Sequence, residues 1–276
     1  MGKLRLGNRT FHCWKRQGHG PVDMRTALKY SCDTYFYDIS QRVGIEKIAE
    51  VARRLGLGQS YDIGVGGGIS GIVPDEAWKQ ARLGTAWRGG DTLNASIGQG
   101  FVLATPLQLG VMAARLANGR DAVLPQLIIG EETPPPAPMD FDPQHLAYVR
   151  DAMWSVTSEE RGTAYRQHPF GMDDGLRDVQ MAGKTGTGQV RGISSAERAS
   201  GVRKNSKLPW KLRDHSIFVG YAPYDKPRFA VGTIVEHGGS GAKRAADITR
   251  AVLGEALRRD GLGDLPSTPG QTGALN

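Results

Sequence analysis

The stretch Met181–Val190 contains a lysine, a threonine and a glycine in direct succession, Lys184-Thr185-Gly186. A lysine ammonium beside a strand makes a cleft electropositive and attracts a carboxylate, and a threonine hydroxyl can hydrogen-bond that carboxylate. A glycine next to them keeps the strand edge open, so that the backbone of an extended ligand can lie along it. These residue types predict a site for an extended ligand that carries a carboxylate.

The same triplet could instead end a phosphate-binding loop, whose pattern is G-x-x-x-x-G-K-[ST]. In this chain Asp178 stands where that pattern has its first glycine, and a carboxylate there would face the phosphates. The residues after Lys184 are rich in glycine and threonine and oppose the helix that such a loop requires. A G-x-G-x-x-G string at residues 66–71 follows no apolar strand and is predicted to be a turn. We therefore exclude a phosphate-binding loop at Lys184.

A second polar triplet, Ser31-Cys32-Asp33, has the pattern S-x-[N/D]. Taken alone, its serine and aspartate would be interpreted as helix caps, because both side chains compete for backbone hydrogen bonds. The triplet lies at a predicted break between two helices, upstream of the Lys184 triplet. Both triplets occur together, in this order, in sites for serine acyl transfer, and the combination favours a catalytic role for Ser31 and Asp33.

A third group consists of the two cysteines of the chain, Cys13 and Cys32, together with His19. Two thiolates and an imidazole suit zinc, which takes four ligands in structural sites. The spacing is not that of a zinc finger. Buried free thiols and a Cys13–Cys32 disulfide remain alternatives.

The elements that must position these residues are predicted to be helices first and an antiparallel sheet afterwards, which is an α+β arrangement. Residues 56–91 are rich in glycine and are predicted to be loops. Helical spacing and capping signals predict helices at residues 22–44 (interrupted near Ser31), 45–55, 105–119, 143–158 and 242–258. Strands are predicted at residues 178–190, 215–224 and 228–237.

The charge balance is basic, with 35 Lys and Arg against 28 Asp and Glu and a formal net charge of +7. The basic residues are scattered, with one denser run at residues 198–213, and no aromatic residues alternate with them as in single-strand binders. We therefore interpret the charge as solvated surface and predict no nucleic-acid partner. The chain shows neither an apolar run of about 18 residues nor a signal peptide.

Six stretches, in the same order, resemble a class B penicillin-binding protein of the penicillin-binding protein 2 type. They are CWKRQGHGPV, ALKYSCDTYFY, GDTLNASIGQGFVLATPLQLG, MAGKTGTGQV, LRDHSIFVGYAPYDKPRFAV and EHGGSG. The resemblance covers nearly the whole chain. It implies a β-lactamase/transpeptidase-like fold, an antiparallel sheet flanked by helices with a cleft between them. It also implies a peptidoglycan D,D-transpeptidase of cell-wall elongation.

The implied chemistry is acyl transfer, in which a serine attacks the D-Ala–D-Ala carbonyl of one stem peptide and an amine of another takes the acyl group. By resemblance, Ser31 would relay a proton to the leaving group. Asp33, where many relatives have Asn, would hydrogen-bond within the cleft. The run Lys184-Thr185-Gly186-Thr187 would bind the donor carboxylate, with the Thr187 N–H as an oxyanion donor.

The resemblance also implies partners and a place in the cell. Stem peptides, β-lactams and membrane proteins of the elongation machinery would bind the complete protein at the periplasmic face of the inner membrane. The chemistry requires no cofactor. A structural zinc at Cys13, His19 and Cys32 would take a carboxylate from a segment that precedes this chain.

The nucleophile of the family lies in an S-x-x-K motif upstream of S-x-[N/D], but residues 1–30 contain no serine. The one S-x-x-K string starts at Ser240, after the third strand, where a cap or loop residue is predicted. We therefore expect residues 1–260 to be a transpeptidase domain that is incomplete at its N-terminus and inactive alone, followed by a disordered tail at residues 261–276. The alternatives are a non-catalytic cell-wall peptide-binding or scaffold module, and a serine β-lactamase or carboxypeptidase of the same fold.

Overall fold

A computed structural model describes residues 2–66, 68–128, 135–165 and 176–261. The chain begins with a hairpin of two strands, β1 (Lys3–Leu6) and β2 (Arg9–His12), which pair antiparallel. This hairpin contacts the second of the helices that follow. It leads directly into Cys13, the first residue of the third polar group.

The helical region that surrounds Ser31 is divided as predicted. Helix α1 spans Met24–Tyr30, and the Asp23 side chain caps it by accepting the Thr26 N–H at 2.7 Å. Helix α2 spans Asp33–Val43 and helix α3 spans Ile45–Arg54. The break between α1 and α2 is therefore confirmed, and it places the Ser31 triplet at a helix junction.

The prediction of loops throughout residues 56–91 is wrong. Helix α4 spans Glu76–Leu83, and helix α5 spans Gly89–Ala95. Both helices are two turns long, too short to show a clear periodicity in the sequence. Their connection is fixed by a tertiary contact that local sequence does not reveal, since the buried Lys79 ammonium donates to the Asp91 carboxylate at 2.6 Å.

Two longer helices begin at the predicted caps. Helix α6 spans Pro106–Asn118, and Thr105 accepts the Gln108 N–H in a capping box. Helix α7 spans Pro143–Ser158. In both helices proline occupies the first turn, where its missing N–H costs no intrahelical bond.

The last third forms a three-stranded antiparallel sheet, as predicted. Strand β3 (Ala182–Gly188) pairs with β4 (His215–Ala222), and β4 pairs with β5 (Phe229–Val235). The spatial order is β3-β4-β5, so β3 is an edge strand of this sheet. The chain between β3 and β4 contains helix α8 (Ser195–Ser200) and two single 3₁₀ turns.

Helices cover both faces of the sheet. Helix α9 (Arg244–Arg259) packs on the face that presents Phe218, while α6 and α7 pack on the face that presents Tyr221. Both aromatic side chains are fully buried. Because side chains alternate along a strand, Thr185, which pairs with Phe218, faces α9, and Lys184 faces the opposite side. The predicted α+β class, an antiparallel sheet flanked by helices, is confirmed.

The predicted tail at residues 261–276 lies outside the described residues, apart from Gly261. None of the helices in the described ranges combines the length and the apolar composition needed to cross a membrane.

Candidate active site

The structure brings Ser31 and Lys184 into direct contact, although 153 positions separate them in the chain. The Lys184 ammonium donates to the Ser31 hydroxyl, with Nζ and Oγ 2.9 Å apart. Ser31 ends α1 in the left-handed region, with a φ of +54°. This conformation is uncommon for residues other than glycine. The turn is closed by the Cys32 N–H, which donates to the Ala27 carbonyl at 2.8 Å.

Asp33 lies in the first turn of α2, where a carboxylate is favoured by the helix dipole. Its Oδ2 accepts the Trp14 backbone N–H at 2.9 Å. Burial raises the pKa of the Asp33 carboxyl, and the Trp14 N–H and the Lys184 charge oppose that shift. Asp33 therefore anchors the segment that follows the N-terminal hairpin to the Ser31 turn.

Trp14 is a site residue to which the sequence analysis assigned no role. Its indole N–H lies 3.1 Å from the Tyr30 carbonyl and 2.9 Å from the Ser31 carbonyl. These contacts hold the left-handed turn of Ser31 from outside, while 64% of the Trp14 surface stays exposed. No local pattern indicated this role, because it depends on a turn 16 residues away.

The outer edge of β3 carries the remaining predicted residues. The Thr185 carbonyl accepts the Lys184 ammonium at 2.7 Å, and the Thr187 carbonyl accepts the Gln99 side-chain amide at 2.7 Å. In a strand the N–H and C=O of one residue point to the same side, and alternate residues share that side. The backbone N–H and C=O groups of Thr185 and Thr187 therefore point away from β4, and the Thr187 N–H faces the open edge. The N–H and C=O groups of Gly186 point toward β4 instead.

The Thr185 hydroxyl is held by a second residue that the sequence analysis missed. Its Oγ1 lies 2.8 Å from the Thr163 Oγ1, in the segment after α7. The Thr163 N–H in turn donates to the Lys29 carbonyl at 3.3 Å. A lone threonine in a connection gives no signal in the sequence. Together these contacts tie the β3 edge to α1, the helix that ends at Ser31.

Lys184 is the main electrostatic feature of the cleft. Burial lowers its pKa to about 8, and the Asp33 charge acts in the opposite direction. The ammonium is thus less stable in the fold than in water. It is held by the hydroxyl of Ser31 and the carbonyl of Thr185.

This shift predicts a pH-dependent stability. Between about pH 8 and the ordinary lysine pKa of 10.5, the unfolded chain keeps the Lys184 proton and the folded chain loses it. The unfolded state then binds more protons, so the Lys184 contribution to the free energy of unfolding rises with pH, by at most about 1.4 kcal/mol per pH unit. We expect the parent to gain stability relative to a Lys184→Met variant between about pH 7.5 and 9.5 in denaturant titrations. A constant difference between the two proteins would contradict this.

Cys13, His19 and Cys32 also meet in space, behind the Ser31 turn. Their candidate ligand atoms all lie within 4.8 Å of one another, and Cys13 Sγ is 3.6 Å from His19 Nδ1. Both cysteines are buried and free. The interaction with Cys32 and burial raise the pKa of the Cys13 thiol, and the interaction with Cys13 lowers the pKa of Cys32.

Ser240, the start of the one S-x-x-K string, lies in the loop before α9. Its carbonyl accepts the Ser216 hydroxyl at 2.9 Å, and helix α9 is capped at Lys243 rather than at Ser240. Ser240 and Lys243 help to line a cavity of about 210 Å³ beside Thr163. Among the described residues no hydrogen bond joins the Ser240 and Lys243 side chains. Ser240 is therefore a loop residue.

Comparisons with known proteins agree with this geometry. The family model described as penicillin binding protein transpeptidase domain matches residues 2–254. The peptidoglycan D,D-transpeptidase MrdA of Salmonella typhimurium is 33% identical over 260 residues, which are 89% of this chain and 40% of the relative. The chain thus spans well under half the length of this curated relative.

Two solved structures are similar along almost the whole chain. The complex of penicillin-binding protein PBP2 with MreC from Helicobacter pylori has a TM-score of 0.78 and 29% identity, over 96% of this chain and 45% of that one. PBP2 of Pseudomonas aeruginosa in complex with WCK 5153 has a TM-score of 0.77 and 33% identity, over 93% of this chain and 52% of that one.

These matches confirm both the β-lactamase/transpeptidase-like fold and the resemblance to the penicillin-binding protein 2 type. The range matched by the family model includes Ser31, Lys184 and the whole three-stranded sheet. The chain belongs to the family of penicillin-binding protein transpeptidase domains.

Proposed function

We propose that this chain forms the substrate-binding part of a peptidoglycan D,D-transpeptidase, which cross-links stem peptides by serine acyl transfer. One observation carries the proposal, the contact at 2.9 Å between Lys184 Nζ and Ser31 Oγ. It joins two triplets that are far apart in sequence and that serve one reaction in this family. A helix-capping role for Ser31 would not require this contact.

Each residue then has a chemical task. The Lys184 charge and the Thr185 hydroxyl bind the terminal carboxylate of the donor peptide. The open-edge N–H of Thr187 stabilises the oxyanion that forms when the donor carbonyl is attacked. Because Ser31 Oγ is bonded to a lysine with a pKa of about 8, its hydroxyl can pass a proton toward the leaving amine near neutral pH.

We further propose that the attacking serine is not among the 276 residues. The one S-x-x-K serine, Ser240, contacts Ser216 on the sheet face that α9 covers. The Lys184 side chain projects from the opposite face, because its partner across the sheet is Val219 rather than Phe218. Ser240 therefore lies off the sheet face from which Lys184 reaches the Ser31 hydroxyl, and no hydrogen bond among the described residues joins the Ser240 and Lys243 side chains.

Covalent labelling with a fluorescent penicillin tests this function. The folded 276-residue chain is expected to form no adduct by intact mass. An N-terminally extended form that adds an S-x-x-K segment is expected to form one. An adduct with the shorter chain would locate the nucleophile within it, with Ser240 as the first candidate.

Binding of a D-Ala–D-Ala peptide without labelling of the extended form would favour a scaffold role. Rapid turnover of a chromogenic β-lactam would favour a β-lactamase.

The solved relatives suggest partners. The Helicobacter pylori protein was solved with MreC, and a further similar chain belongs to a peptidoglycan synthase complex. We propose that the complete protein binds β-lactams and docks with membrane proteins of the elongation machinery at the periplasmic face of the inner membrane.

We also propose that Cys13, His19 and Cys32 hold a structural zinc ion. Zinc bond lengths of about 2.3 Å to sulfur and about 2.0 Å to nitrogen place these atoms about 3.5 Å apart at a tetrahedral ion. The distance from Cys13 Sγ to His19 Nδ1, 3.6 Å, fits. The other ring nitrogen of His19 is buried without a hydrogen-bond partner among the described residues. The ion would fix the N-terminal segment against the Ser31 turn, and its fourth ligand would come from elsewhere.

Metal analysis tests the zinc proposal without any activity assay. The parent chain, purified without chelators, is expected to contain about one zinc ion, and His19→Ala and Cys13→Ala are expected to contain almost none. His145→Ala removes an exposed histidine outside the cluster and should keep the metal. An equal, near-zero zinc content in all four proteins would contradict the proposal.

A further inference from the structure

One backbone acceptor on the open edge of β3 is bonded to a side chain of the same protein. The Gln99 side-chain amide donates to the Thr187 carbonyl, with Nε2 and O 2.7 Å apart. An extended peptide that adds to this edge as a new strand must donate a backbone N–H to the same kind of acceptor. Gln99 and such a peptide therefore compete for one oxygen.

The segment that carries Gln99 allows its carboxamide to leave while its backbone stays in place. Gln99 follows the end of α5, and its backbone N–H donates to the Asn94 carbonyl at 3.0 Å. Gly98 and Gly100, on either side, both have a φ of +72°, a left-handed conformation that glycine adopts without strain. Among the described residues, the Gln99 carboxamide hydrogen-bonds only to Thr187. Rotation of one side chain is enough to free the Thr187 oxygen.

The Gln99 contact also gives a hydrogen-bond partner to a carbonyl on the open edge of β3. An unpaired carbonyl on an exposed edge invites pairing with other strands. A side-chain amide satisfies that carbonyl without adding a strand. A ligand N–H can take its place, and the ligand then has to displace one neutral hydrogen bond.

We propose that Gln99 is a positioning residue that binds the Thr187 carbonyl until a backbone N–H of the donor stem peptide displaces it. The proposal rests on the transpeptidase function proposed above. Gln99 thereby acts as an internal competitor, and its removal strengthens peptide binding. A residue that contacts the bound peptide directly would have the opposite effect.

The experiment titrates the folded 276-residue chain with an N-acetylated tripeptide that ends in D-Ala–D-Ala, followed by ¹⁵N NMR. In the parent, the Gln99 side-chain amide signals are expected to shift as the peptide displaces them. Gln99→Ala and the similarly shaped Gln99→Met, which lack the donor, are expected to bind the peptide about fivefold more tightly, the change that corresponds to one competing hydrogen bond. Gln80→Ala, which removes an exposed glutamine on α4, should bind like the parent.

Tighter binding by both Gln99 variants, with an unchanged Gln80 control, supports the proposal. Equal or weaker binding by the Gln99 variants overturns it, and so does a lack of binding by parent and variants alike. Penicillin labelling of the extended form separates this result from the function itself. If the extended form is labelled but the Gln99 variants bind no better, only the role of Gln99 is wrong. If the extended form is not labelled, the transpeptidase assignment fails.

Discussion

Replacing Lys184 with methionine is expected to lower the rate of penicillin labelling in the N-terminally extended form by two to three orders of magnitude. Methionine keeps much of the length of the lysine but removes its charge. The cleft then loses the donor to the Ser31 hydroxyl and the donor to the Thr185 carbonyl. It also loses the cation that attracts the ligand carboxylate. Loss of a single preorganised donor at a developing charge typically costs about 100- to 1,000-fold in rate.

The matched control is Lys226→Met, which removes an exposed lysine between β4 and β5. This variant should be labelled at the parental rate. Circular dichroism of all three proteins separates a loss of chemistry from a loss of fold. A folded Lys184→Met variant labelled within about threefold of the parent would show that Lys184 has no part in acylation.

The second large effect is expected for Gly183→Ala, the position before Lys184. A Cβ at this position would lie 2.3 Å from Cζ of Phe218 and 2.8 Å from the carbonyl oxygen of Val219. Phe218 is fully buried between β3 and α9 and has no room to withdraw. Because cores are packed at crystal-like density, the added methyl group must push the strands apart. We expect the free energy of unfolding to fall by about 3 kcal/mol in chemical denaturation.

Gly192→Ala is the control for this stability prediction. A Cβ at position 192 would meet no atom within 4 Å. A glycine with a compatible backbone and free space tolerates alanine, often with a small gain in stability. Comparable loss of stability in both variants would contradict the packing argument. A stable Gly183→Ala variant would show that β3 can shift away from β4 without cost.

The long elements follow from local sequence because their signals are local. Helix α6 begins at the Thr105 cap with Pro106 behind it, and α7 begins at Pro143, as predicted. The sheet was predicted from runs of strand-forming residues in the last third. Helices α4 and α5 were not predicted because they are short, lie in a glycine-rich stretch and depend on tertiary packing, which includes the buried Lys79–Asp91 contact between them.

The sequence by itself determined which residues could do chemistry. It singled out the Ser31 and Lys184 triplets, excluded a phosphate-binding loop, and indicated a transpeptidase family through residue types and their order. Only the tertiary structure decided how these residues meet. The left-handed turn at Ser31, the indole of Trp14 behind it and the amide of Gln99 on the β3 edge all depend on partners from distant parts of the chain. No periodic pattern in the sequence predicts contacts of this kind, because they are set by the packing of α1, α5 and the sheet rather than by neighbouring residues.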